Sequence, residues 1–419
     1  KGKNKQGPIK IFEKNNTSAY FRQSKNNVLY LTVRKKNLTD KTIEQIKLDF
    51  AYYLSKIMPK KKIVLLYEKE SSRYEESASV LYEKLIDDGY KDAYFILDKN
   101  YSHFHEIANK YRTNILYKGS FKHYLYFFMS KTFLGSEALV HAIDLRISNK
   151  HALNKINDKS LNYVFLQHGV MYMVSLDSES RSFFKPMKTE GKYRVVTSSV
   201  EEARHFIELG GYDPETIYVC GLPKFDRNTL NEDADKIVVM PTWRPWEYNE
   251  ARYDFTQTKY YQMLVRIVDA IPEKFKDKLI VLPHPLFFDA IKDTEFELKQ
   301  YLNVTDKYDE ILKDTRILIT DYSSIAYDAF YRGCNVIFYW EEKDECMANY
   351  GPTTKLMLNE ENVYGDICMN PYQLSKAIDI NYFHGQDEVY QKRYSKLVDF
   401  HDGKNTERLI TLLRKDEII

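Results

Sequence analysis

The sequence predicts an α/β fold: two Rossmann-like domains with a central cleft, preceded by a small N-terminal β/α extension. Three observations predict it. From residue 61 onward, apolar runs of strand length alternate with amphipathic helical stretches, the pattern of a parallel sheet covered on both faces. The alternation pauses at a short polar stretch, "TLNEDADK", and then starts again. The 419 residues also exceed the size at which one hydrophobic core keeps growing. The expected boundaries are 1–59 for the extension, 60–230 for the first domain and 231–419 for the second.

The extension opens on residues 8–35, which alternate apolar and polar as in "NNVLYLTVRK" and read as two or three strands. "LTDKTIEQIKLDFAYYLSKIM" follows as a helix. Thr39 or Asp40 is the expected N-cap, and Ile43, Ile46, Phe50, Leu54 and Ile57 fall at helical spacing. The first domain begins with the strand "KKIVLLYE" and the helix "EESASVLYEKLIDDG", ended by Gly89. "DAYFILD", "YSHFHEIANKYR" and "TNILYKG" continue as strand, helix and strand. "FKHYLYFFM" (121–129) reads as a buried helix. "LNYVFLQHG", "KYRVVTSSVEEARHFIELGG" and "TIYVCGLPKFD" extend the same rhythm. In the second domain the strands are "KIVVMPTW", "KLIVLPHP", "RILITDYSS" and "NVIFYW". A helix near 258–271 and the helix "IAYDAFYRG" lie between them.

Composition narrows the function. Hydrophobic content of 43% and charged content of 29% exclude wholesale disorder. The 35 tyrosines fit broad amphipathic packing. A net charge of +2, from 62 basic and 60 acidic residues, implies no nucleic-acid partner. Local basic clusters, "KGKNK" at the start and "PKKK" at 59–62, read as solvated loops or as contacts with an anionic membrane surface. Cys220, Cys334, Cys346 and Cys368 lie far apart without CxxC spacing, which argues against a metal site or a disulfide framework and fits a reducing cytoplasm. The longest apolar runs fall well short of the roughly 18 residues needed to span a bilayer. A chain that starts at Lys1 and not at Met is expected to be part of a longer protein. Neither GxGxxG nor GxxxxGK[ST] occurs, so a classical dinucleotide site and a P-loop are both unsupported.

Five stretches carry chemistry at strand ends: "QHG" (167–169), "MPTWR" (240–244), "LPHP" (282–285), "TDYSS" (320–324) and, on the helix that follows, Asp328. Ser323 and Ser324 open a helix, either as a plain N-cap or as hydroxyls that join the free N–H groups in holding an anion. Asp328 lies one turn further along that face. His284 stands between two prolines that restrict its direction, as a structural group or as a ligand. Arg244, between Trp243 and Pro245, is a surface or cation–π arginine or a donor fork for phosphate oxygens. Taken together, one His, one Arg and a Ser-Ser helix start in one domain form a cradle for a pyrophosphate. His168, at a strand end of the other domain, suits a general base acting on an acceptor hydroxyl.

From about residue 61 to 415 the chain resembles the CDP-glycerol glycerophosphotransferases of teichoic acid and capsule synthesis. The likeness rests on "LLYEKESSRYEESASVLYEKL", "QHG", "GLPKFD", "MPTWR", "LPHPLF", "TDYSSIAYDAF", "GP" (351–352) and "DGKNTERLITLL". "HPLF" and "DYSS" carry most of it. The resemblance implies a GT-B arrangement, with an acceptor domain at 60–230 and a donor domain at 231–419 whose last helix crosses back. It implies transfer of a polyol phosphate from CDP-glycerol or CDP-ribitol to a hydroxyl of a lipid-linked or polyol-phosphate polymer acceptor, with release of CMP. His168 would be the base. His284, Arg244, Ser323 and Ser324 would hold the pyrophosphate, and Pro241, Thr242 and Asp328 would line the nucleotide or polyol site. Around the base the family often reads Trp-His-Gly-Thr-Pro-Leu-Lys, whereas this chain reads Gln-His-Gly-Val-Met-Tyr-Met, a departure that points to a subfamily with its own polyol or acceptor.

The expected mechanism is in-line displacement at the β-phosphorus, driven by positioning and electrostatics. No DxD-like cluster stands at a strand end, so neither a metal nor a cofactor is expected. A lipid-linked acceptor and the lack of a spanning segment together predict peripheral attachment at the cytoplasmic face of a bacterial membrane. Two rival readings are a glycosyltransferase or epimerase acting on a UDP-sugar, and a non-catalytic module that binds the polymer.

Overall fold

The computed structural model describes residues 11–14, 16–23, 29–177, 190–283, 287, 296–303 and 308–419. Three sheets organise these residues. Strands β1 (Ile11–Lys14), β2 (Thr17–Gln23) and β3 (Leu29–Lys35) form an antiparallel ribbon. A seven-stranded sheet is made of β4 (Val64–Tyr67), β5 (Ala93–Leu97), β6 (Ile115–Tyr117), β7 (Thr132–Gly135), β8 (Asn162–Phe165), β9 (Tyr193–Thr197) and β10 (Ile217–Val219). Its spatial order is β10-β9-β8-β7-β4-β5-β6. A five-stranded parallel sheet, in the order β12-β11-β13-β14-β15, contains β11 (Lys236–Val239), β12 (Leu279–Val281), β13 (Thr315–Thr320), β14 (Asn335–Tyr339) and β15 (Asp366–Cys368). The central strands β4, β7 and β14 are buried at every residue, which is why they read as unbroken apolar runs.

The described residues fall into two compact units. One lies within Lys1–His168, Lys188–Arg194 and Leu412–Ile419, the other within Gly169–Met187 and Val195–Thr411. In the first unit, α1 (Thr42–Ile57) follows the ribbon. The helices α2 (Ser77–Asp87), α3 (Phe104–Tyr111), α4 (Phe121–Met129) and α5 (Lys150–Ile156) connect the strands. Stretch 121–129 is a helix that buries Tyr124, Leu125, Phe127 and Phe128. Two expectations for α1 change. Lys41 is its N-cap, because Thr39 and Asp40 sit in a short turn capped by Asn37, and Arg34 engages Asp40 through Nη2 at 2.8 Å. Its apolar stripe also faces outward: Ile43, Ile46, Phe50 and Ile57 are exposed, while Glu44, Leu48 and Ala51 are buried.

The second unit contains α6 (Val200–Glu208), α7 (Tyr248–Asp254), α8 (Lys259–Ala270), α9 (Tyr308–Lys313), α10 (Ile325–Arg332), α11 (Lys343–Tyr350), α12 (Pro371–Phe383) and α13 (Glu388–Tyr394). Helix α14 (Asn405–Lys415) begins in this unit and ends in the first. A core of Ile237, Val239, Met263, Leu264, Ile317 and Ile337 packs α8 and α12 on the five-stranded sheet. Gly333, at φ +108°, closes α10 in the left-handed region that glycine adopts without strain. All four cysteines are buried free thiols.

Candidate functional site

In the first unit the side chains of interest stand at the carboxyl ends of β4, β7 and β8. Beyond β8 the chain turns sharply at Gln167, a buried residue held at φ +59°. Left-handed backbone at a non-glycine residue is uncommon and is kept where the surroundings demand it. The turn leaves the next side chain, His168, 40% exposed, with Nδ1 3.7 Å from Glu137 Oε1. That is an ion-pair distance and not a hydrogen bond. Burial raises the Glu137 carboxyl above its ordinary range, against an opposing pull from Lys69. The position of Glu137 is fixed through its backbone, since its carbonyl accepts from Tyr163 Oη at 2.6 Å and Tyr67 Oη at 3.1 Å.

The loop after β4 is held as tightly. Glu70 and Ser71 are both in the left-handed region, at φ +53° and +52°. Glu70 N donates to His141 Nδ1 at 2.9 Å, and Ser71 Oγ donates to the His141 carbonyl at 2.8 Å. Burial pushes the His141 pKa down to about 4, which keeps the ring neutral and Nδ1 an acceptor. A carboxylate beside Nδ1 of His168 favours the tautomer with its proton there, leaving Nε2 to accept one.

In the second unit two clusters form at the ends of β11 and β13. The first centres on Asp321. Its Oδ1 accepts from Thr242 N at 2.7 Å and its Oδ2 from Arg244 Nη1 at 2.8 Å, while its carbonyl accepts from Trp340 Nε1 at 3.0 Å. Arg244 is 1% exposed. It also donates to the Thr242 carbonyl at 2.6 Å and lies 3.5 Å from Glu342 Oε2. The guanidinium expected to grip phosphate is therefore turned inward, where it ties together the loops that follow β11 and β13. Thr242 Oγ1 is buried with no hydrogen-bond partner among the described residues, and the Pro241 carbonyl accepts from Tyr260 Oη at 3.3 Å.

The second cluster lies at the start of α10. Ser324 occupies the N-cap, but its hydroxyl makes no capping bond; Ser323 Oγ accepts from Ile325 N at a long 3.4 Å. Lys224, in "GLPKFD" just after β10, is mostly buried and pairs with Asp328 at 2.6 Å, and Asn228 Nδ2 donates to the same carboxylate at 3.3 Å. A Cβ on Gly169 would stand 2.7 Å from Ser324 Oγ and 3.9 Å from Lys224 Nζ, so the backbone approaches this corner closely. A buried ammonium beside serine hydroxyls and the free N–H groups of a helix start can hold an anion. Ser324 and Asp328 are thus linked through Lys224 beside Gly169, Ser323 lies next to them at the start of α10, Thr242 and Arg244 meet around Asp321, and His284 lies outside the described residues.

Sequence reasoning passed over Lys224 and Glu137. Glu137 sits two residues beyond β7 and Lys224 five beyond β10, in strand-end loops like those of the residues that were singled out.

The model of the CDP-glycerol:poly(glycerophosphate) glycerophosphotransferase family matches residues 50–415. The minor teichoic acid biosynthesis protein GgaB of Bacillus subtilis (strain 168) is 26% identical over 377 residues, covering 83% of this chain and 39% of GgaB. The chain therefore spans about two fifths of the curated relative it matches. Among solved structures, the wall teichoic acid polymerase TagF aligns with a TM-score of 0.60 at 16% identity, over 90% of this chain and 97% of that one. A variant of the same polymerase soaked with CDPG aligns at 0.58, also at 16% identity, over 89% and 93%. The fold is accordingly a two-domain GT-B-like α/β fold.

Proposed function

Because the chain belongs to the CDP-glycerol:poly(glycerophosphate) glycerophosphotransferase family, we propose that it transfers a polyol phosphate from a CDP-polyol to an acceptor hydroxyl in teichoic acid synthesis. The observation that carries the reading is local: Gly169, the residue after His168, lies against Ser324 and Lys224, where a buried cation meets a helix start. In the proposed reaction an acceptor oxygen attacks the β-phosphorus of the donor as its proton passes to His168 Nε2. The bond from that phosphorus to the bridging oxygen breaks, and CMP leaves with the oxygen. Lys224, Ser323, Ser324 and the N–H groups of α10 offset charge on the pyrophosphate, with His284 as a further ligand. Asp328 holds Lys224 until the anion arrives. Arg244 and Asp321 fix the loop that presents Pro241 and Thr242. Residues 60–230 are the acceptor side and 231–419 the donor side.

CDP-glycerol is the first donor to test, with CDP-ribitol as the other polyol. The acceptor is read as a lipid-linked or polyol-phosphate chain. No helix among the described residues is long and apolar enough to cross a membrane. A lipid-linked acceptor then calls for peripheral contact with the membrane, at its cytoplasmic face. The test is CMP release from each donor with a soluble polyol-phosphate acceptor. Wild type is expected to turn over one of them and His168→Ala to lose at least about a hundredfold in kcat, the usual worth of a positioned base. Consumption of UDP-sugars with no CMP from either donor would overturn the proposal.

A further inference from the structure

The stretch that follows His168 is gripped by the first turn of α6. Met171 N donates to Glu202 Oε1 at 2.6 Å, and Tyr172 Oη donates to Glu201 Oε1 at 3.1 Å. Glu202 is fully buried, and its second oxygen accepts from Ser198 N at 2.6 Å and from Ser198 Oγ at 2.7 Å. The start of a helix favours negative charge, and Ser199 Oγ caps this one by accepting from Glu202 N at 3.0 Å. All of these groups belong to the second unit.

Both contacts fall where the chain departs from the pattern Trp-His-Gly-Thr-Pro-Leu-Lys. The third and fourth residues after the histidine are there proline and leucine, and here Met171 and Tyr172. Proline fixes φ but has no N–H, and leucine has no hydroxyl, so neither could bond to its glutamate. Every residue from Val170 to Val174 is buried. A buried amide N–H needs an acceptor, and at 171 Glu202 supplies it. Further along, Tyr327 Oη donates to the Tyr172 carbonyl at 3.2 Å and Met357 N to the Met173 carbonyl at 2.9 Å.

We propose that Glu202, with Glu201 beside it, is a positioning residue for His168, pinning the amide at 171 and so taking over the rigidity that proline gives the usual pattern. Three residue steps join the pinned amide to the base, a span of at most about 10 Å. An unpinned amide would let the imidazole drift from the oxygen whose proton it takes. The inference rests on His168 as the base. It concerns how that base is held and is independent of which polyol or acceptor is used.

The experiment is a double-mutant cycle on CMP release with the soluble polyol-phosphate acceptor, using Glu202→Gln, Met171→Pro and both together, with a urea midpoint for each. Glu202→Gln keeps the shape but turns an NH2 group towards either Met171 N or Ser198 N. We expect kcat to fall at least about tenfold and the donor KM to stay within about threefold, since misplacement by about 1 Å can cost about a hundredfold. In the Met171→Pro background no N–H at 171 needs an acceptor, and the same change should cost about threefold or less. Tyr172→Phe removes only the hydroxyl on Glu201 and should lower kcat about threefold. Equal losses from Glu202→Gln in both backgrounds would overturn the proposal, as would an unchanged kcat in both Glu202→Gln and Tyr172→Phe. A wild type that releases no CMP, or His168→Ala at full rate, would count against the transferase reading alone. The urea midpoints then judge the pin: a smaller loss from Glu202→Gln beside Met171→Pro supports it, and an equal loss overturns it.

Discussion

At the residue scale, the geometry around His168 is costly to maintain. A left-handed Gln167 costs on the order of 1–3 kcal/mol, as do Glu70 and Ser71 across the sheet edge. Strain of this kind persists where the surroundings over-determine it, and here they include two tyrosine hydroxyls on the Glu137 carbonyl. On the proposed mechanism, Glu137 is a positioning residue for His168. Glu137→Gln keeps the shape and removes the charge, so the protonated imidazole loses its neighbouring anion. We expect kcat to fall roughly tenfold, less than the hundredfold or more that loss of the base itself costs, and the acid limb of the kcat/KM profile to move to lower pH. A fall in rate without movement of that limb would assign Glu137 to packing alone. His168 was legible in the sequence because a histidine directly after an apolar strand is conspicuous. Glu137 and Lys224 were not, because each gains its meaning from a partner brought close by the sheet or by the chain's return at Asp328.

At the scale of elements, alternation gave the architecture because strands buried on both faces must be apolar throughout, and β4, β7 and β14 are. Pattern alone does not say which side of a helix finds a partner. The stripe on α1 was visible, yet α4 and α5 meet the other face, where Glu44, Gln45 and Asp49 make hydrogen bonds. The loops after β11 and β13 pose a related question about Arg244, since an arginine after a strand reads as a phosphate ligand until its burial is known. Its pairing with Asp321 predicts a structural consequence. Arg244→Ala leaves that carboxylate buried and uncompensated, and should destabilise the fold by about 3–5 kcal/mol, measured as a lowered urea midpoint. An unchanged midpoint with only a raised KM for the donor would return Arg244 to the pyrophosphate.

At the scale of the molecule, the histidines of the first unit tie its stability to pH. His123 is fully buried, with Nε2 donating to the Ala142 carbonyl at 2.8 Å and Nδ1 accepting from Gly119 N at 3.1 Å. Both ring nitrogens are satisfied only in the neutral form, and burial lowers the pKa to about 4. His141 is lowered in the same direction by its own burial. An unfolded chain takes up these protons near pH 6.5, so between about 6.5 and 4 the unfolded state binds more of them than the folded one. Stability is therefore complete above that window and is lost as pH falls through it. His123 alone accounts for a loss of about 2 kcal/mol at about pH 5. We expect urea midpoints to fall between neutral pH and about pH 5, and the acid sensitivity to shrink in His123→Gln, whose amide does not titrate. The amide itself lowers the midpoint at neutral pH, so the comparison that decides is the slope of stability against pH in each protein. Equal slopes would show that His123 takes up its proton at the same pH in the folded and unfolded states, and that its burial does not hold the ring neutral.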